Sequence, residues 1–332
     1  MVFYSQVSLY GLLWFEFAGY PAFTTFATQI LSMHKSRVKT WAHLSLLAAN
    51  IIYGLNYSIA KSVMPDHIKP LALVSFRSVL TAGLFWITSL FMPKEPVNRK
   101  DLLFLFGCSF FGVVINQILF LAGLNLTSQI NSSIIQSTNP IFAFVFAALI
   151  LNERITFLKG SGLAIGLSGV LLLILQNGTP DLASSTFLGD VFTLVNTISW
   201  AFYTVIIKRM LEKYHPVTVM KWTFFFGMLT TIPIGYNQWS TMDWSSISLN
   251  AWLGIGFVVV FATYLGYLLL SFGLRRLSPT IVSTYTYTQP IIAAYIVSIM
   301  GQDHIDLVMI FSALLIFAGV FVVSRQRQSN SI

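Results

Sequence analysis

Ten apolar runs, each about as long as a helix must be to cross hydrocarbon, follow one another between residues 41 and 324. A helix rises about 1.5 Å per residue, so roughly 20 mostly apolar residues span a bilayer core. Hydrocarbon offers no partner to backbone N–H and C=O groups, which leaves helices or closed barrels as the spanning structures. The runs qualify as helices, near 41–63, 70–92, 101–124, 128–151, 157–176, 187–211, 216–235, 249–274, 279–301 and 305–324. With 56% hydrophobic and 9% charged residues and a mean hydropathy of +0.76, the 332-residue chain has too few polar groups to cover a soluble globule. The expected fold class is therefore an all-α membrane protein whose partner is the lipid bilayer.

The net charge of +8 would raise nucleic acid as a partner if the basic residues were clustered on one soluble face. They sit instead in short loops. Assigned to alternate sides of ten helices, sixteen of the nineteen Lys and Arg fall on one side. They stand near Lys35, Lys39, Lys94, Arg99, Arg154, Lys159, Lys208, Lys213, Arg275, Arg276, Arg325 and Arg327. Only Lys61 and Lys69 fall on the other, and Arg77 lies inside a span. The positive-inside rule then makes both ends of the ten-helix unit cytoplasmic, in a plasma (inner) membrane, with no nucleic-acid role. Residues 1–33 are apolar but carry Glu16 and Pro21 and no basic n-region, so they are no convincing signal peptide. They fit a weak eleventh span or an interfacial segment, or Met33 is the true start. The single Cys108 allows no disulfide framework and no thiolate metal site.

Sliding the chain over itself by 150 residues aligns 111–176 with 261–326 without a gap, with 14 of 66 positions identical. Gly123 meets Gly273, Ser128 meets Ser278, Thr138 meets Thr288 and Pro140 meets Pro290. A shift of 146 pairs Asn50 with Asn196, Tyr57 with Tyr203 and Pro70 with Pro216. Two five-helix units follow, 41–176 and 187–325, after a 1–40 segment and its basic flank. Five is odd, so the second unit enters the membrane from the opposite side. Such inverted repeats are frequent in secondary transporters, with the solute held near the midplane between them.

The run "AANIIYGLNYSIAK" (48–61) places Asn50, Tyr53, Gly54, Tyr57 and Lys61 on one helical face. Its repeat mate carries Asn196, Ser199, Trp200 and Tyr203. A polar stripe cannot face lipid without cost, so it serves interhelical hydrogen bonding or lines a shared cavity. Recurrence at matched positions favours the cavity. Further candidates are Asn116, Gln136 on a face with Gln129 and Ser133, Tyr264 and Tyr267, and Tyr287 near Thr284. Aromatic rings with hydroxyl tips suit a partly apolar small-molecule solute. Arg77 could hold a substrate carboxylate or phosphate, or snorkel to the outer surface, or bond helix carbonyls. Its repeat mate is Thr223. Lys61 could attract anions or be a solvated anchor, and Glu153 with Arg154 marks a loop anchor or a gate. Pro140 and Pro290 free backbone groups within their spans, toward a cavity or as packing kinks.

Mid-span Asp, Glu and His are missing, with Asp190 and His304 at span ends. That pattern points to facilitated movement or exchange rather than tight proton coupling. No HExxH, GxSxG or Walker A pattern in a fitting context and no metal-ligand cluster within the spans argues for an enzyme, and no cofactor is expected. "GSGLAIGLSG" (160–169) has glycines spaced for close helix packing, and its Gly162 and Gly166 leave room for a homodimer.

"TNPIFAFVFAALILNERIT" (138–156), "ISWAFYTVIIKR" (198–209) and Pro70 with Arg77 resemble the EamA-type permeases of the drug/metabolite transporter superfamily. The resemblance spans about 41–325, and the second half departs from it with Gln302 and Asp303 where the first has Asn152 and Glu153. It implies solute transport, commonly export, of substrates ranging over amino acids, vitamins, nucleotide sugars and toxic compounds. The expected function is movement of a small, amino acid-like or otherwise partly apolar metabolite by alternating access. The contrasting expectation is a non-transporting scaffold or a receptor that only senses a ligand in the same cavity.

Overall fold

A computed structural model describes residues 21–151, 157–175, 185–300 and 306–324. Glu153, Arg154, Asn152, Gln302, Asp303 and His304 lie outside the described residues, as do 1–20 and the side chain of Lys159. The chain divides into two compact units, Met1–Leu44 and Ser45–Ile332. The described backbone of the first is helical from Pro21, within helix α1 (Pro21–Val63). The second unit holds the rest of the fold.

After α1 come α2 (Pro70–Leu90), α3 (Arg99–Leu126), α4 (Gln129–Gln136), α5 (Asn139–Leu151) and α6 (Phe157–Leu175). The second half runs through α7 (Ser185–Lys213), α8 (Pro216–Ser240), α9 (Leu249–Arg276), α10 (Pro279–Thr284), α11 (Thr288–Met300) and α12 (Leu307–Ser324). Among the described residues six helical stretches are long and apolar enough to cross a membrane: α2, α3, Gln129–Ile150, α7, α8 and α9. No strand occurs among the described residues.

The helix starts are written in the local sequence. Asn98, Ser128, Ser248 and Ser278 each accept a hydrogen bond from a backbone N–H in the following first turn. Pro70, Pro216 and Pro279 occupy first helical positions, where the missing N–H costs nothing. The breaks fall before the two matched prolines: α4 ends at Gln136 ahead of Pro140, and a 3₁₀ turn at Tyr285–Tyr287 stands ahead of Pro290. Two π-helical segments, Phe110–Ile115 inside α3 and Val258–Leu265 inside α9, also recur about 150 residues apart. A π-turn widens the helix and lets its carbonyls reach sideways.

Packing is inside out relative to a soluble protein. Leu90 is 78% exposed and Leu307 83%, and Leu103, Leu149, Ile291 and Phe311 also face outward. Asn50, Arg77, Asn116, Asn131, Asp190 and Asn196 are buried. An apolar exterior of that extent is stable only against lipid, where polar groups must find partners in the bundle. α2 packs on α8, α3 and α5 on α7, and α6 on α12. The α6–α12 contact is so close that a Cβ on Gly319 would fall 2.4 Å from the Gly166 backbone, and one on Gly162 would fall 2.7 Å from the Gly319 carbonyl. The glycine spacing read from 160–169 is thus used within the chain. One apolar core joins Tyr57, Leu73, Leu121, Leu124, Ile255 and Val258. A second joins Ile134, Ile135, Val170, Leu173, Val297 and Ile316.

Each half also fastens the end of its π-containing helix with a lysine. Lys61 donates to the carbonyls of Leu124, Asn125 and Thr127 at 2.7, 3.0 and 2.9 Å. Lys208 donates to those of Leu274 and Leu277 at 2.9 and 3.0 Å. Leu274 and Leu277 stand 150 residues after Leu124 and Thr127. The anchor reading of Lys61 therefore changes: it closes the carbonyl end of α3, where a cation is favoured.

Candidate functional site

Between the halves lies a cavity whose open space, its solvent-facing mouth included, is about 480 Å³. α1 contributes Tyr53, Asn56 and Tyr57 to its wall; α2 contributes Arg77; α3 contributes Asn116 and Phe120. Gln136 of α4, Asn196 and Trp200 of α7, Ala262 and Tyr267 of α9 and Gln289 of α11 complete it. A smaller cavity of about 280 Å³ borders Asn50, Asn139, Thr204 and Ser283, and shares Tyr53, Trp200 and Gln289 with the first.

The π segments shape this wall. In α3, the Phe111 carbonyl accepts from Ser199 Oγ at 2.8 Å and the Gly112 carbonyl from the Tyr267 hydroxyl at 2.8 Å. Asn116, the residue following that segment, donates through Nδ2 to Asn196 Oδ1 at 2.8 Å, joining the halves. In α9, Thr263 Oγ1 donates back to the Val258 carbonyl at 2.6 Å and accepts from Arg77 Nε at 3.0 Å. Arg77 is only 4% exposed, so it neither snorkels to the surface nor caps a helix; its Nη1 atom is buried with no partner. Arg77 carries the one formal charge among the lining residues.

A second relay ties α1 to α11. The Tyr57 hydroxyl donates to Gln289 Oε1 at 3.1 Å, Gln289 Nε2 donates to Asn50 Oδ1 at 2.7 Å, and Asn50 Nδ2 donates to the Leu46 carbonyl at 2.8 Å. Aromatic edges complete the wall, with Tyr57 on Phe120 at 5.5 Å and Trp200 on Tyr267 at 5.2 Å between centroids.

The sequence candidates divide accordingly. Tyr53, Tyr57, Arg77, Asn116, Gln136, Asn196, Trp200 and Tyr267 border the larger cavity, and Asn50 the smaller. Tyr203 lies behind Trp200, packed on Gly112, with its hydroxyl 3.7 Å from Met220 Sδ. Tyr264 pairs with Thr88 at 2.6 Å between α2 and α9. Tyr287 packs against Phe317 of α12. Sequence reasoning missed Asn56, Phe120, Ala262 and Gln289. One of these carried a signal: Phe120 sits four residues after Asn116, on the same helical face. Asn56 falls outside the stripe of Asn50, Tyr53, Gly54 and Tyr57, so periodicity did not point to it. Asp190, read as a span-end residue, is buried to 1% exposure and accepts from Thr127 Oγ1 and Asn131 Nδ2, tying α7 to the α3–α4 turn. Among the described residues no group of His, Cys, Asp and Glu is placed to hold a metal ion.

A polar, aromatic-walled cavity inside a helical bundle with an apolar exterior defines an integral membrane protein with an internal cavity. Residues 40–175 and 187–325 each match the model of the EamA-like transporter family, and the chain belongs to that family, within the drug/metabolite transporter superfamily. It is similar to the uncharacterized transporter YyaM of Bacillus subtilis (strain 168), at 24% identity over 85% of this chain and 93% of that one. It is similar as well to an uncharacterized transporter of Archaeoglobus fulgidus, at 25% identity over 87% of this chain and all of the other. WAT1-related protein At3g53210 of Arabidopsis thaliana is 24% identical over 82% of this chain and 79% of its own. A protein of known crystal structure shares the fold with a TM-score of 0.62, at 14% identity, over 86% of this chain and 98% of that one. The family and the names of these relatives indicate a membrane transporter rather than an enzyme.

Proposed function

We propose that the chain moves a small, partly apolar metabolite across the plasma membrane by alternating access around the 480 Å³ cavity. Ten spanning helices form two inverted five-helix halves, 41–176 and 187–325, with both ends of the unit on the cytoplasmic side. The observation that carries this reading is the composition of the wall, drawn from α1 to α4 on one side and from α7, α9 and α11 on the other. A solute held there contacts both halves, so rocking one against the other exposes it to either face. Tyr53, Trp200 and Gln289 border both cavities, which supports a movement that opens one space and closes the other. The matched lysine caps on α3 and α9 support the repeat: in an inverted arrangement they lie at opposite membrane faces.

The test is solute counterflow in proteoliposomes over amino acids, organic acids, nucleosides, vitamins and lipophilic cations, beside Asn196→Ala and Trp200→Ala. One chemical class should exchange, and both substitutions should slow it about tenfold or more. A folded wild-type protein that binds a solute of the panel yet exchanges none would be a ligand-sensing receptor.

A further inference from the structure

We infer that the larger cavity is an organic-anion site, taking a solute with a single carboxylate on a flat apolar body. This rests on the transport reading of the same cavity and specifies its solute class.

The polar groups of the wall are sorted by direction. Three acceptors are already placed against donors inside the protein: Asn196 Oδ1 takes a bond from Asn116, Gln289 Oε1 takes one from Tyr57, and Asn116 Oδ1 lies 3.3 Å from the Tyr267 hydroxyl. What stays buried without a partner is Arg77 Nη1, Asn196 Nδ2, the Tyr53 hydroxyl and Asn56 Oδ1. All four residues line the cavity. Three of those four atoms can donate a hydrogen bond, and one belongs to a cation. A buried guanidinium with no counter-ion is unfavourable, and no ion pair to Arg77 occurs among the described residues. The solute supplies the counter-ion.

The charge count narrows the class. A carboxylate neutralises the one cation of the wall, whereas a phosphate dianion would leave a net negative charge beside it. Arg77 is pre-aimed because Thr263, itself bonded to a π-segment carbonyl, holds Nε and leaves the Nη edge toward the space. The carboxylate would accept from Arg77 together with Asn196 Nδ2 or the Tyr53 hydroxyl. Asn56 Oδ1 leaves a place for one donor on the solute. Tyr57, Phe120, Trp200 and Tyr267 give the body aromatic edges and faces rather than further polar groups.

Four probes with a common phenyl tail separate charge from shape: 3-phenylpropanoate, 3-phenylpropanamide, 3-phenylpropylammonium and 2-phenylethyl phosphate. Binding to the purified full chain is read by calorimetry and by ligand-dependent thermal shift, and exchange of radiolabelled 3-phenylpropanoate is followed in proteoliposomes. The carboxylate should bind about tenfold or more tightly than the amide, with the ammonium weakest. Arg77→Gln should bring carboxylate and amide together, and Arg77→Lys should keep part of the preference. The wild-type series decides the charge preference by itself if Arg77→Gln does not fold. Amide, ammonium or phosphate binding as tightly as the carboxylate would overturn the assignment and leave the cavity a binding site. No binding of any probe to folded wild type overturns it as well. Carboxylate binding without exchange would instead sink the transport reading and leave the anion site standing.

Discussion

Arg77 and Thr223 occupy matched places in the two halves, 146 residues apart and seven residues after Pro70 and Pro216, yet they meet opposite fates. Thr223 is fully buried and satisfied by its own helix, donating to the Val219 carbonyl at 2.9 Å. Arg77 reaches across to Thr263 and leaves a guanidinium nitrogen unpartnered at the cavity. Tyr57 and Tyr203 differ in the same sense: the first borders the cavity and bonds Gln289, while the second is packed away on Gly112. The repeat thus sets matching backbones, with caps, breaks and π segments at corresponding places. In both matched pairs the symmetry is broken by the side chain, and the first-half residue is the one that borders the cavity.

The largest expected effect comes from the closed side of that comparison. A Cβ at Gly112 would fall 2.3 Å from the Tyr203 ring, so Gly112→Val should cost about 3 kcal/mol or more in detergent unfolding. Combining it with Tyr203→Ala should recover part of that loss; strict additivity would show that the ring does not fill the place of the missing side chain.

Next come the two lysine caps, which test how far the symmetry extends. Lys61→Met and Lys208→Met each strand several helix-end carbonyls and should each cost about 1–3 kcal/mol. Comparable losses would mark the caps as a shared structural device. A loss confined to one lysine would mean that the two helix ends are held differently.

The smallest effect is at the starts of α2 and α8, where Lys69 and His215 are matched. Lys69 offers no side-chain cap, and the Leu71 N–H instead donates to Gln238 at 2.9 Å. His215 caps with its own Nδ1, accepting from Val217 N–H at 3.2 Å, while its N–H donates to Glu95 at 2.9 Å. Burial holds the His215 pKa below its ordinary value, Arg275 adds to this and Glu95 opposes it. The unfolded chain then binds the proton more readily, so this contribution is fully present above about pH 6.5 and is lost as pH falls toward the folded value. Melting temperature should drop between pH 7.5 and 5.5 by less in His215→Asn, whose amide caps without titrating; equal drops would remove His215 as the cause.

The membrane-protein class, the apolar helices and the family were legible in the chain because lipid imposes long apolar runs and short punctuated turns. The polar stripe was legible too, since helical periodicity shows which residues share a face. Periodicity does not say how far each helix is rotated toward its neighbours. Tyr264 and Tyr287 carry the same chemistry as Tyr53 and Tyr57, but their faces meet α2 and α12 rather than the cavity. Gln289 lies next to a helix-breaking proline and enters the wall because the turn at Tyr285–Tyr287 re-aims the chain. The burial of Arg77, its bond to Thr263 and the pairing of Asn116 with Asn196 join residues 186 and 80 positions apart. Sequence by itself determined the solvent, the helices and their polar faces, which depend on local spacing and transfer energy. Tertiary structure alone decided which faces converge, because convergence depends on helix rotation and on the two π segments that set it.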